Sequence, residues 1–241
     1  MPEEETRQPR PFTGQVALVT GAGSGIGRAI AIALASQGAC VRAAGRSAEK
    51  LQETASHSPL IHCEVADITA DPDCASLFEN SGRLDILVHS AGTVALGRYE
   101  ETTAAAFDRL YQTNLRAPFV LTRAALPFLR RSKGQVVFLN STAGVTAAPG
   151  AALYAATKHG LKALADSLRD EVNADGIRVI SVFPGRTATP MQAQIIETEG
   201  KCWRPELLMQ PSDIAGLVLA ALAVPRTAEV TNLFLRPFQK S

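Results

Sequence analysis

The sequence is poor in cysteine, aromatic residues, net charge and long apolar runs, and these shortages exclude several classes of function. Its four cysteines (Cys40, Cys63, Cys74 and Cys202) form no C-x-x-C pair, so free thiols in a reducing, cytoplasmic setting are expected. Four histidines and four cysteines offer no ligand cluster, and no metal is expected; His62, Cys63 and Glu64 should face solvent and core. Lys plus Arg number 24 against 23 Asp plus Glu, a formal charge of +1. That balance, with no block of about five or more basic residues, lacks the electrostatic footprint of a nucleic-acid binder. The longest strongly apolar run, Ile214 to Val224, is 11 residues and includes Gly216, too short to span a bilayer. Pro2 to Arg10 is polar and begins with Glu3-Glu4-Glu5, unlike a signal peptide. Aromatics make up 5% of the chain.

What is present is aliphatic. The chain has 241 residues and is 46% hydrophobic, enough for a well-buried core and too apolar for dominant disorder. Residues 1–11 read as a disordered tail. From Gln15 onward, short apolar runs alternate with helical periodicity. Strands are expected at Val16–Thr20, Cys40–Ala44, Leu60–Val65, Asp85–Val88, Gln135–Leu139, Ile177–Phe183 and Asn232–Leu235. Between them, Ile26, Ile30 and Leu34 mark a helix that Gly38 stops, and Ser47 N-caps another running to about Ser56. Further helices are expected over Asp71–Asn80, Thr103 to about Arg131 (bent or divided by Pro118 and Pro127), Ala152–Ala174 and Ser212–Ala223. Strands separated by helices imply right-handed crossovers and a mostly parallel sheet. The fold class is α/β, a single doubly wound Rossmann-type domain over residues 12–241.

The first strand runs straight into Thr20-Gly21-Ala22-Gly23-Ser24-Gly25-Ile26-Gly27. A glycine turn at a strand–helix junction admits close backbone approach, and the helix start presents unpaired amides to a pyrophosphate. The spacing is G-x-x-x-G-x-G rather than G-x-G-x-x-G, and no G-K-[ST] follows. An ordinary tight turn is the bland alternative, but the place in the first βα unit favours phosphate. The second strand should end on an acidic residue if a ribose 2′-hydroxyl is bound there. It reads Ala43-Ala44-Gly45-Arg46-Ser47 instead. Arg46 suits a 2′-phosphate, with Ser47 as an added donor, so NADP(H) is favoured over NAD(H). A solvated strand-end arginine is the alternative.

Tyr154 and Lys158 stand one helical turn apart, on one face. Ser141 lies at the carboxyl end of the strand before them, where open α/β sheets bind ligands, and Pro184-Gly185 closes the next strand at that edge. Together these motifs make the chain resemble the short-chain dehydrogenase/reductase family over nearly its whole length. The Thr20-to-Gly27 turn resembles T-G-x-x-x-G-x-G. Ser141, Tyr154 and Lys158 resemble S-x12-Y-x3-K, and Pro184-Gly185 with Thr189 resembles P-G-x-x-x-T. The family's N-N-A-G appears as His89-Ser90-Ala91-Gly92, a departure that gives up the first asparagine side chain; a structural His89 is favoured over a catalytic one.

The resemblance implies a catalytic set of Asn114, Ser141, Tyr154 and Lys158. It also implies cofactor contacts from Gly21, Ser24, Gly25, Ile26, Gly27, Arg46, Ser47, Asp67 (beside the adenine), Ala91, Gly92, Asn114, Tyr154, Lys158, Pro184, Gly185, Thr187 and Thr189. Tyr154 would exchange a proton with the substrate oxygen, its pKa drawn down from about 10 by Lys158 and the nicotinamide ring. Ser141 would hydrogen-bond that oxygen, Lys158 would hold the ribose, and Asn114 would hold a relay water. Nicotinamide carries the hydride. The insert over about 186–210 implies a substrate lid whose mixture of Met191, Ile195, Ile196, Trp203, Leu207, Leu208 and Met209 with charges suits a partly apolar alcohol or ketone. Arg186 either meets an acidic substrate or is a surface arginine. A homodimer or homotetramer through helices 103–131 and 152–174 is implied too. Competing readings are a redox sensor or scaffold without turnover, and an isomerase or lyase on the same scaffold. No G-x-S-x-G elbow surrounds Ser24 or Ser141, which argues against a serine hydrolase.

Overall fold

The computed structural model describes residues 10–79 and 82–239. Most of the expected tail, residues 1–9, lies outside the described residues, as does Asn80 at the end of one expected helix. Seven strands form one sheet: β1 Val16–Thr20, β2 Cys40–Gly45, β3 Ile61–Val65, β4 Ile86–His89, β5 Gln135–Leu139, β6 Arg178–Pro184 and β7 Asn232–Leu235. Their order is β3-β2-β1-β4-β5-β6-β7, and every adjacent pair is parallel. The helices are α1 Gly25–Ser36, α2 Ala48–Ala55, α3 Asp71–Glu79, α4 Ala104–Tyr111, α5 Ala117–Ser132, α6 Ala152–Val172, α7 Pro190–Thr198 and α8 Pro211–Ala223.

Alternation along each central strand feeds two apolar layers. Ala17, Val19, Ile86, Val88, Val137 and Val182 face α1 and α8, while Leu18, Leu87, Val136, Phe138 and Val179 face α3, α5 and α6. Each wholly buried Val, Leu, Ile or Phe contributes about 1.5–3 kcal/mol. Burial on both faces therefore explains why the strands read as near-continuous hydrophobic runs. Thr20 pairs with Ala44 on one side and His89 on the other, which brings the carboxyl ends of β1, β2 and β4 to one edge. Chain direction through the sheet reverses between β1 and β4, and a crevice opens there.

One expectation takes a specific form and another needs correction. The long helix over 103–131 is divided by a π turn at Gln112–Arg116, with Pro118 in the first turn of α5 and Pro127 inside it. Proline has no N–H to give the carbonyl four residues back and its ring crowds that carbonyl. The break thus falls just ahead of Pro118, and Pro127 is carried within the helix. The 186–210 insert also holds a helix, α7, that apolar spacing does not predict. Its start is built by Thr189, whose hydroxyl accepts from the Gln192 amide, and by Pro190 in the first turn.

Candidate active site

The glycine turn is held by a threonine. Thr20 is fully buried; its Oγ1 accepts from the amides of Ser90 and Ala91 at 3.2 and 3.3 Å and donates to the Val88 carbonyl at 3.3 Å. The end of β1 and the loop after β4 are thereby tied into one floor. Gly21 adopts φ +67°, and a Cβ there would come within 2.7 Å of the Ala91 backbone. At Gly27 a Cβ would meet the Gly21 carbonyl oxygen at 2.5 Å. Ser24 precedes α1 in extended backbone without capping it, so the first-turn amides of Gly25, Ile26 and Gly27 find no acceptor among the described residues. That cradle suits a phosphate group.

Beyond the cradle, β2 ends at Gly45 and Arg46 is exposed, with no hydrogen bond or ion pair among the described residues. Ser47 caps α2, its hydroxyl accepting from the Lys50 amide at 3.3 Å. Asp67 Oδ1 accepts from both the amide and the hydroxyl of Thr69, at 2.9 and 2.7 Å, and these bonds lower its pKa despite partial burial.

At the other end stand the chemical groups. Ser141 follows β5; its amide donates to Asn140 Oδ1 at 2.9 Å, and Asn140 Nδ2 donates to the Lys158 carbonyl at 3.1 Å. Asn140 thus clamps the Ser141 loop to α6, a role the sequence reading missed. Burial pushes the Tyr154 phenol above its ordinary value, offset in part by a hydrogen bond with the Ser141 hydroxyl. Lys158 is buried, with Nζ donating to the Leu139 carbonyl at 2.9 Å and lying 5.8 Å from the Tyr154 ring centre. Burial lowers its pKa to about 8. In the chain alone, desolvation is the larger influence on the Tyr154 phenol.

Asn114 is buried. Its side chain accepts from the Thr93 amide at 2.9 Å and donates to the Thr93 carbonyl at 2.9 Å and to Thr157 Oγ1 at 3.2 Å. The side-chain amide thus joins the loop after β4 to α6. Gly92 lies between: a Cβ there would be 3.4 Å from Asn114 Oδ1 and 4.0 Å from Lys158 Nζ. His89 is buried, bonds Thr122 at 2.8 Å and stacks on Phe138. Burial lowers its pKa to about 3, and it packs beneath the sheet edge as a structural residue.

The expected site residues, Asn114 excepted, line one cleft of about 510 Å³, a size ordinary for small-molecule sites. The 186–210 insert contributes Met191, Gln192 and Ile195 to its wall, while Ile196, Leu208 and Met209 are buried and Trp203 is 42% exposed. No metal-ligand group of three or more occurs, and no helix is long and apolar enough to cross a membrane, among the described residues.

The short chain dehydrogenase family model matches residues 15–200. The chain belongs to that family. This short-chain dehydrogenase is 33% identical over 233 residues to an uncharacterized oxidoreductase of Staphylococcus aureus strain USA300, covering 94% of this chain and 98% of the relative. It is also similar to an alcohol dehydrogenase from Thermococcus sibiricus complexed with 5-hydroxy-NADP, at TM-score 0.84 and 27% identity over 94% and 98% of the two chains. A third likeness is to a 3-ketoacyl-(acyl-carrier-protein) reductase from Brucella melitensis complexed with NADH, at TM-score 0.83 and 25% identity over 92% and 97%. The short-chain dehydrogenase fold and an oxidoreductase assignment follow from these matches together.

Proposed function

We propose that this short-chain dehydrogenase is an NADP(H)-dependent oxidoreductase interconverting a secondary alcohol and a carbonyl, with Tyr154 as general acid and base. The observation that carries the reading is that Ser141, Tyr154 and buried Lys158 line the same cleft as the glycine cradle. A bound nicotinamide dinucleotide supplies or accepts the hydride there. The cradle fits its pyrophosphate, because the first-turn amides of Gly25, Ile26 and Gly27 find no acceptor among the described residues. Arg46, exposed and unpaired where an acid would serve a 2′-hydroxyl, suits the extra phosphate of NADP(H).

The chain's own groups divide the remaining work. Ser141 Oγ donates to the substrate oxygen and Tyr154 Oη holds the proton to be given to it; burial keeps the phenol in that proton-holding form. Lys158 Nζ, aimed at the cleft from α6, serves the ribose hydroxyls and the charge balance around Tyr154. The Asn114 and Asn140 amides fix the loops on either side. Exposed Phe107, Tyr111 and Phe119 on α4 and α5 mark the face that a homo-oligomer would cover. The test is a panel of carbonyls and alcohols assayed for change in NADPH and NADH absorbance. Turnover of ketones with NADPH preferred supports the reading, and nucleotide binding without turnover of any member would favour a sensor instead.

A further inference from the structure

Arg186 follows Pro184-Gly185 at the carboxyl end of β6 and lines the cleft. One of its nitrogens is already engaged. Its Nη2 donates to both carboxylate oxygens of Glu199 at 2.7 and 2.9 Å, and Lys201 Nζ lies 2.9 Å from the same carboxylate. Glu199 caps the carboxyl end of α7, so the pair joins the two ends of the lid helix's segment. The backbone reinforces the closure: Ala188 donates to the Met209 carbonyl at 2.8 Å, and Met209 donates to the Arg186 carbonyl at 3.3 Å. Both charged side chains are partly exposed, at 31% and 25%, so salt weakens the pair. Burial raises the Glu199 pKa, but the bonds from Lys201 and Arg186 outweigh it and keep the carboxylate ionised.

Three other cations line the cleft. Arg46 and Lys50 sit at the Gly45 end, and Lys158 donates to Leu139. On the lid wall, Met191 and Ile195 are apolar. The donor left there is neutral: Gln192 is 8% exposed and its Nε2 has no acceptor among the described residues.

We propose that Glu199 determines specificity: by holding Arg186 in an ion pair, it makes the cleft select an uncharged, apolar-flanked carbonyl or alcohol over the matching carboxylate. The inference rests on the oxidoreductase reading above and names its substrate class. A substrate carboxylate approaching Arg186 competes with one tethered at an effective concentration on the order of millimolar or more, for a charge that Glu199 already offsets. A neutral group meets no such competition, so the discrimination lies in what the anion fails to gain.

The test uses methyl 4-acetylbenzoate and 4-acetylbenzoate, a matched neutral and anionic ketone, with wild type, Glu199→Gln, Lys201→Met and the double variant Glu199→Gln/Arg186→Met. NADPH-dependent kcat/KM is measured for each, alongside equilibrium binding read from Trp203, the one tryptophan, which stands in the insert. Wild type should favour the ester. Glu199→Gln should lower the ester-to-acid ratio by about tenfold or more, the worth of one charge-assisted contact. The double variant should restore the ratio, and Lys201→Met, which loosens the cluster but leaves Arg186 paired, should not move it. An unmoved ratio in Glu199→Gln, a gain that survives in the double variant, an equal shift in Lys201→Met, or a wild type that binds both ketones alike overturns the inference. If no ketone is turned over but the Trp203 titrations show the ester preference and its loss in Glu199→Gln, the specificity inference stands and the oxidoreductase reading falls.

Discussion

Replacing Thr20 with valine keeps the branched shape at the end of β1 and removes one hydroxyl. That hydroxyl is fully buried and makes three bonds of 3.2 to 3.3 Å, two from the Ser90 and Ala91 amides and one to the Val88 carbonyl. A hydrogen bond of this kind contributes about 0.5–1.5 kcal/mol net, and these are long ones, so the loss should total about 2 kcal/mol. For a chain of this size that lowers Tm by about 4–8 °C. The same hydroxyl joins the two loops that floor the cradle, so NADPH affinity should fall too, by about tenfold for each 1.4 kcal/mol of the loss that reaches the bound state. Thermal melting with and without NADPH, and titration of NADPH fluorescence, separate the two effects. Thr20→Ser keeps the oxygen and should recover most of both. An unchanged melting temperature in Thr20→Val, or a Thr20→Ser variant as damaged as the valine, would refute the reasoning and assign the position to methyl packing.

Two further outcomes are expected. Arg46→Ala should weaken NADPH binding by about 1.5–3 kcal/mol, the value of a charged hydrogen bond, and leave NADH nearly unchanged in parallel fluorescence titrations; equal losses for both would make the arginine structural. Lys158→Met should weaken cofactor binding yet stabilise the ligand-free protein. Burial lowers the lysine from 10.5 to about 8, so the native state binds fewer protons than the unfolded chain between those values. At about 1.4 kcal/mol per unit, less about 1 kcal/mol for the unpaired Leu139 carbonyl, the variant should gain about 2 kcal/mol below pH 8. That advantage should fade as pH rises to 10.5, because wild-type stability climbs across the window; urea melts at pH 7 and pH 10 check the sign.

The strands were legible because a sheet covered on both faces demands short aliphatic runs, and Val16–Thr20 and Gln135–Leu139 are read with the bounds they adopt. The cleft was legible because its backbone needs glycine at Gly21 and Gly27 and its chemistry needs Tyr154 and Lys158 one turn apart. What joins those pieces was not. Asn114 meets partners 21 and 43 residues away, and Asn140 meets one 18 residues away, separations that carry no local pattern. The π turn before Pro118 and helix α7 were hidden for a related reason: each is set by capping and packing rather than by apolar periodicity. The burial of Tyr154 was not legible either, because spacing shows a cation one turn away and says nothing about desolvation.

The most direct test of the mechanism is Tyr154→Phe, which keeps the ring and deletes the proton. Turnover of the best ketone in the NADPH panel should fall by roughly 10²–10⁴, the usual worth of a positioned acid or base, while NADPH affinity and melting temperature stay near wild type. Near-native turnover in a folded, NADPH-binding Tyr154→Phe protein would contradict the account.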